Sequence, residues 1–81
     1  MITKKLINAC NYAQEQSDSF EAGYKKKYEG EMPTAFRNHL ICIYVDKYMG
    51  GHVDRKDVLD AIKALRRINN GENAEKVLNS Y

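Results

Sequence analysis

Features that would identify a membrane protein or a nucleotide-binding enzyme are scarce in this sequence. The longest unbroken apolar run, at positions 40–45, is too short to cross a bilayer. Glycine occurs only five times and forms no glycine-rich loop of the kind that holds nucleotide phosphates. We therefore expect no membrane association and no nucleotide cofactor.

Cysteine is rare, and neither sign of charge predominates strongly. Cys10 and Cys42 each lie among apolar residues, which is typical of buried, reduced thiols; a disulfide is the alternative. No long apolar region follows Lys4 and Lys5, so the N-terminus does not resemble a secretory signal, and we expect a cytoplasmic protein. The formal net charge of +2 is too small to indicate nucleic-acid binding by itself.

The histidines and cysteines do not form a recognisable metal or catalytic motif. His39 and Cys42 are close in sequence, and Cys10 or His52 could join them, but zinc sites normally show paired spacings such as CxxC or HxxxH. A cysteine nucleophile would also need an orienting acid and an oxyanion donor, and neither is evident beside His39 and Cys42. We expect a non-enzymatic protein with no cofactor, no metal site and no catalytic residue.

The length and composition predict a single domain that spans residues 1–81. Hydrophobic residues make up 43% of the sequence and charged residues 30%, as in ordinary soluble domains. A chain of this size buries only roughly 60% of its unfolded surface, so we expect marginal stability. A partner protein or a second copy would then contribute to it.

The apolar run lies within a segment, 35–49, that we predict to be the central helix of an all-α bundle of four or five short helices. A run that is apolar at every position suits a helix covered on most of its circumference. A buried strand is the competing interpretation, but no second strand candidate exists to satisfy its backbone groups. The predicted core residues are Leu40, Ile43, Tyr44, Leu59, Ile62 and Leu65.

Four further helices are predicted around this segment. Apolar spacing places them at about 4–16, 19–29 and 55–69, with a short last helix that begins near Ala74. Thr3 and Thr34 are suited to cap the first helix and the central helix. Asp54 and Asp57 give the helix at 55–69 an acidic start, which complements the helix dipole.

Two local signals mark the predicted boundaries on either side of the central helix. Asp18 and Glu21 resemble an imperfect capping box that would restart the chain as a second helix, which Gly30 would end. Gly50–Gly51 would close the central helix. Because the linker around Pro33 is short, the second and third helices should form an antiparallel hairpin.

Aromatic and basic side chains share the predicted second helix. Phe20, Tyr24 and Tyr28 follow at four-residue intervals, and the three lysines at 25–27 lie alongside. One interpretation is an exposed surface of rings and cations that contacts a partner. The other is that the rings pack on the central helix while the lysines form its solvated edge.

The functional prediction is a small protein-interaction module that regulates or inhibits a partner protein, or associates with itself as a homodimer. Six tyrosines exceed what so small a core can hold with every hydroxyl satisfied, and tyrosine gives large contact area at low entropic cost. A compact regulator of this kind is compatible with a phage or mobile-element origin, which no residue demonstrates. The predicted contact residues are Phe20, Tyr24, Lys25, Lys26, Lys27, Tyr28 and Tyr48.

A small basic DNA-binding protein is the alternative, with a helix-turn-helix-like unit over 35–69. The nucleic acid would then be contacted by Arg55, Lys56, Lys63, Arg66 and Arg67. The connection between the two helices is longer than is usual in this motif. Asp54, Asp57 and Asp60 would also face phosphates and be repelled, so this alternative ranks second.

Overall fold

The computed structural model describes residues 2–81, which form four α-helices. These are α1 (Lys4–Tyr28), α2 (Thr34–Met49), α3 (Arg55–Asn69) and α4 (Ala74–Asn79). The described residues include no strand, so the prediction of an all-α fold is confirmed and positions 40–45 are helical. Within the same range, every helix is too short or too polar to span a membrane.

Helix α1 is one continuous element, so the prediction of two separate helices at 4–16 and 19–29 is wrong. Thr3 caps its start as expected, because the Leu6 N–H donates to the Thr3 Oγ1 at 3.1 Å. Asp18 and Glu21 do not form a capping box. Their carboxylates accept hydrogen bonds from the Arg37 guanidinium of α2, at 2.7 and 3.1 Å, and the backbone around them stays helical.

The connection between α1 and α2 differs in detail from the prediction. Glu29, and not the predicted Gly30, ends α1, and it adopts the left-handed conformation at φ 51°. The Glu29 N–H donates to the Lys25 carbonyl. Pro33 precedes α2, and Thr34 is its first residue, so the threonine side chain does not cap it. The short connection nevertheless turns the chain back, as expected.

Helices α1 and α2 form the predicted antiparallel hairpin. The Tyr12 ring lies 5.5 Å from the Tyr48 ring, whereas the Phe20 ring lies 5.8 Å from the Phe36 ring. Residues early in α1 therefore contact residues late in α2, and later residues of α1 contact the start of α2.

The boundaries of α2 and α3 follow the local signals in the sequence. Gly50 ends α2 at φ 78°, and the Asp54 side chain caps α3 by accepting from the Lys56 N–H at 2.8 Å. Asp46 holds the connection between them, since its Oδ1 accepts from the Val53 N–H at 2.9 Å. A cap missed in the sequence, Asn73, starts α4 by accepting from two backbone N–H groups.

The centre of the fold is α1, so the central position predicted for 35–49 is not found. Helices α2 and α3 both pack against α1 and have little contact with each other. With 25 residues, α1 is about 37 Å long. It therefore spans most of the 42 Å long axis of the molecule.

The core is built mainly from small side chains. The most fully buried positions of α1 are Ala9, Cys10, Ala13 and Ser17. The core residues contributed by α2, α3 and α4 are Ile41, Val45, Val58, Ala61, Ala64, Leu65 and Val77. The distance between two packed helices depends on the size of the side chains at their contact, and small residues allow a short one.

The predicted core list is largely wrong about which side chains are inside. Of the six, Leu65 is buried; Leu40, Tyr44 and Ile62 are partly buried, and Ile43 and Leu59 are exposed. The reason is the rotation of each helix about its own axis, which decides which residues face the core. In α2, Ile41 and Val45 face the core, and an apolar run that covers the whole circumference of a helix does not indicate which side will be covered.

Candidate protein-binding surfaces

Four aromatic rings form a connected surface where the last turns of α1 lie beside the start of α2. We call this the aromatic patch: Phe20, Tyr24 and Tyr28 of α1 with Phe36 of α2. Ring centroids are 4.7 Å apart for Tyr24 and Tyr28, 5.8 Å for Phe20 and Phe36, and 6.5 Å for Tyr24 and Phe36. Aromatic pairs at such distances stabilise each other by about 0.5–1.5 kcal/mol.

The aromatic patch is uncovered because α1 extends beyond the core. Ser17 is the last buried residue of α1. Phe20 remains 42% exposed and Tyr28 58% exposed. A shallow depression of about 320 Å³ lies between the rings at Gly23, where an added Cβ would meet no atom within 4 Å.

Lysines border the aromatic patch on α1. Lys25 lies 3.9 Å from the Glu21 carboxylate, and the Lys27 Nζ lies 5.3 Å from the centre of the Tyr28 ring. Lys26 is exposed. Cations at a solvated edge contribute little to stability.

Arg37 fixes the patch to the rest of the hairpin. Its guanidinium donates to carboxylates of both Asp18 and Glu21, which lie one turn apart on α1. Arg37 follows Phe36 in the chain, so this double ion pair joins the start of α2 to α1 next to the patch.

Tyr48 lies away from the other predicted contact residues. Its ring packs on Tyr12, near the opposite end of the hairpin. Tyr12 precedes Phe20 by eight positions, which corresponds to about 12 Å along the helix. The structure therefore brings together the predicted contact residues of α1 with Phe36, and it separates Tyr48 from them.

The five cations of the DNA-binding alternative are divided among different surroundings. Arg55, Lys63 and Arg66 line a cleft between α2 and α3, whereas Lys56 and Arg67 do not. Arg67 is bound by Glu72 through hydrogen bonds of 2.9–3.2 Å. These bonds lower the pKa of the Glu72 carboxyl and raise that of the Arg67 guanidinium.

The two thiols are free and unlike each other. Cys10 is fully buried, and burial, together with the neighbouring Cys42, raises the pKa of its thiol to about 11. Cys42 is partly exposed in the cleft beside His39. The part of the chain that the structure describes contains no group of three or more potential metal ligands.

Comparison of the chain with protein-family models, with curated proteins and with solved structures found no match.

Two exposed residues differ from their predicted roles. Phe36 is predicted as part of the central helix and not of the contact surface, and Leu59 is predicted to lie in the core. The four-residue spacing of Phe36, Leu40, Tyr44 and Tyr48 is a signal for a continuous stripe on α2. For Leu59 the signal is its separation by one turn from Arg55 and Lys63, which places it on a basic face of α3.

Proposed function

We propose that this chain is a small non-enzymatic regulator or inhibitor that acts by binding the surface of a partner protein through the aromatic patch. The observation that supports this is the distribution of side-chain size. The core is filled by residues no larger than isoleucine, leucine and methionine, while Phe20, Tyr28 and Phe36 are left exposed together. Contiguous exposed apolar surface is characteristic of interaction sites.

The physical case rests on what these rings would gain in a complex. Full burial of one large apolar side chain is worth about 1.5–3 kcal/mol, and aromatic side chains lose little conformational freedom when they are fixed. The rings of the patch already contact one another, so part of that freedom is lost before binding. Binding energy at interfaces is concentrated in such anchors.

The lysines at 25–27 favour a partner with an acidic surface. Rim cations mainly accelerate association and contribute less to the lifetime of a complex. They also favour a different protein over a second copy, because a two-fold pairing through the aromatic patch would bring both sets of lysines to one interface.

Affinity capture from the native host tests this proposal. The bait is the full chain, compared with the double variant Phe20→Ala/Tyr28→Ala. A matched control is Ile43→Ala/Tyr81→Ala, which truncates two comparably exposed apolar residues outside the patch. We expect the patch variant to bind the captured partner at least about tenfold more weakly, and the control to bind it normally.

Two measurements complete this test. Circular dichroism checks that each variant keeps its helical content, and light scattering after gel filtration shows whether the wild type is a monomer. A folded patch variant that recovers the same partner with unchanged affinity would show that the aromatic patch is not the site. A wild type that stays monomeric and captures nothing would remove the proposed function altogether.

A further inference from the structure

Helices α2 and α3 enclose a cleft because they pack on α1 without packing closely on each other. The cleft has two adjoining lobes with volumes of about 410 and 370 Å³, and Asn38 and Leu59 line both of them. The first lobe is completed by Ala35, His39, Cys42 and Arg55. The second lobe is also lined by Gln14 of α1 and by Arg37, Ile41, Ile62, Lys63 and Arg66.

The charge along the cleft is of one sign. Arg55, Lys63 and Arg66 all line it, and within residues 2–81 no carboxylate lines either lobe. These three side chains also have no ion-pair partner among the described residues. Arg37 lines the second lobe as well, but its charge is compensated by two carboxylates of α1. Three uncompensated cations around one depression favour an anionic ligand.

The floor of the cleft is apolar. Leu59 is 53% exposed at the junction of the two lobes, and Ile62 is partly buried one turn further along α3. Arg55, Leu59, Ile62 and Arg66 succeed one another on a single face of α3, so apolar contact is flanked by a cation at each end. A ligand that matches this face must carry negative charge on either side of an apolar centre.

An acidic amphipathic helix has this arrangement of chemistry. Such helices bind grooves by placing apolar residues at helical spacing into the groove, while charged residues meet the rim. Nucleic acid fits less well, because its backbone offers anions without the apolar centre that Leu59 would contact. No Phe or Tyr of the described residues lines the cleft, so the His39 imidazole is the one ring there on which a base could stack.

We infer that the α2–α3 cleft is a second docking site, which takes an acidic amphipathic helical segment of a partner protein. Leu59 is its apolar anchor, and Arg55 and Arg66 hold the carboxylates at the two ends. No ring of the aromatic patch lines the cleft, and the residue that connects the two sites is Arg37, which lines the second lobe and pairs with α1 beside the patch.

Selection from a display library of random peptides tests this inference. We suggest peptides of about 16 residues, enough for roughly four helical turns, selected on the full-length wild-type protein. We expect the selected peptides to be enriched in Asp and Glu, with apolar residues at three- and four-residue spacing. Their affinity should fall at least about tenfold on Arg55→Glu/Arg66→Glu and on Leu59→Ala.

A control with the same change in net charge makes the outcome specific. Lys5→Glu/Lys76→Glu also exchanges two cations for two carboxylates, at exposed positions on α1 and α4 outside the cleft. The affinity of the selected peptides for this variant should be within about twofold of their affinity for the wild type at physiological ionic strength, where distant charges are screened. Arg55→Gln/Arg66→Gln, which removes charge without reversing it, replaces the reversed variant if circular dichroism shows that the latter is unfolded.

Several results would overturn the inference. These are selected peptides without acidic enrichment, no selected peptide at all, and selected peptides that bind the wild type and both cleft variants equally. Duplex DNA offered in parallel gives a further arm. If it binds at physiological salt and is weakened by the Arg55 and Arg66 substitutions, the cleft is a nucleic-acid site. If the Phe20→Ala/Tyr28→Ala variant showed that the aromatic patch is not a binding site, the peptide and DNA binding expected at the cleft would not change. The two proposals are therefore tested independently.

Discussion

The two halves of α1 belong to one helix but are used differently. In the first half, residues 4–17, the inward positions are small and fully buried, including Ala9, Ala13 and Ser17. In the second half, residues 18–28, no side chain is buried and the same side of the helix carries the rings of the aromatic patch. Small side chains are buried against the neighbouring helices in the first half, and large rings remain exposed in the second.

This comparison shows how a chain of 81 residues can fold and still present a large aromatic surface. Small domains have little apolar area to spare, so large rings are normally found in the core. Here the buried hydrophobic core consists of aliphatic side chains with Cys10 and Met32, and Phe20, Tyr28 and Phe36 remain exposed. We expect the first half of α1 to control stability and the second half to control affinity.

The largest contrast should come from making the same substitution in each half. Ala13→Leu inserts three carbon atoms into a fully buried position, and we expect a loss of about 3 kcal/mol because a close-packed core cannot expand freely. Ala22→Leu changes an exposed position by the same volume and should alter stability by less than about 0.5 kcal/mol. Urea denaturation of both variants measures the difference, and equal losses would contradict the division of α1.

The pH dependence of stability tests the burial of Cys10, in the first half of α1, without a change in side-chain size. The raised pKa of Cys10 means that the folded protein holds the thiol proton more tightly than the unfolded chain does. This contribution to stability is fully present below about pH 9 and is lost as the pH rises through about 11. A shift of this size corresponds to about 2–3 kcal/mol.

Other groups also titrate in this range, so the measurement is the difference between the wild type and Cys10→Ala. We expect the wild type to lose about 2–3 kcal/mol more than the variant between pH 9 and pH 11 in urea denaturation. Parallel curves for the two proteins would indicate that Cys10 is accessible to solvent, against the packing described for this half of α1.

The smallest expected effect lies in the second half. Gly23 is inside α1, and a Cβ there would meet no atom within 4 Å, so Gly23→Ala should stabilise the helix by about 0.5–1 kcal/mol. Gly50→Ala is the matched control and should destabilise the fold, because Gly50 adopts φ 78°. Thermal denaturation of the two variants would show opposite shifts; destabilisation by Gly23→Ala would mean that α1 is not regular at this point.

Part of the candidate site was accessible from the sequence. The four-residue spacing of Phe20, Tyr24 and Tyr28, with lysines beside them, places rings and cations on one helix whatever the fold around it. The contribution of Phe36 was not accessible in this way. It depends on the α1–α2 hairpin and on the Arg37 ion pairs, which join residues 16 and 19 positions apart.

The cleft between α2 and α3 shows the same limit. The amphipathic pattern of α3 separates Val58 and Leu65 from the charged side, but Leu59 lies between the two sides and was assigned to the core. Whether it is covered depends on how close α2 comes to α3, and that is set by how both helices pack on α1. The pattern of one helix contains no information about this distance.

The helical class and most helix boundaries can be predicted from local sequence, including the ends of α2 and α3 at Met49 and Asn69. These depend on caps and turns, in which a side chain bonds to backbone groups a few positions away, as at Thr3 and Asp54. Packing between helices is what makes α1 continue past Asp18, places α1 at the centre and buries one side of α2. Those features depend on contacts between residues far apart in the chain, and a local pattern does not specify them.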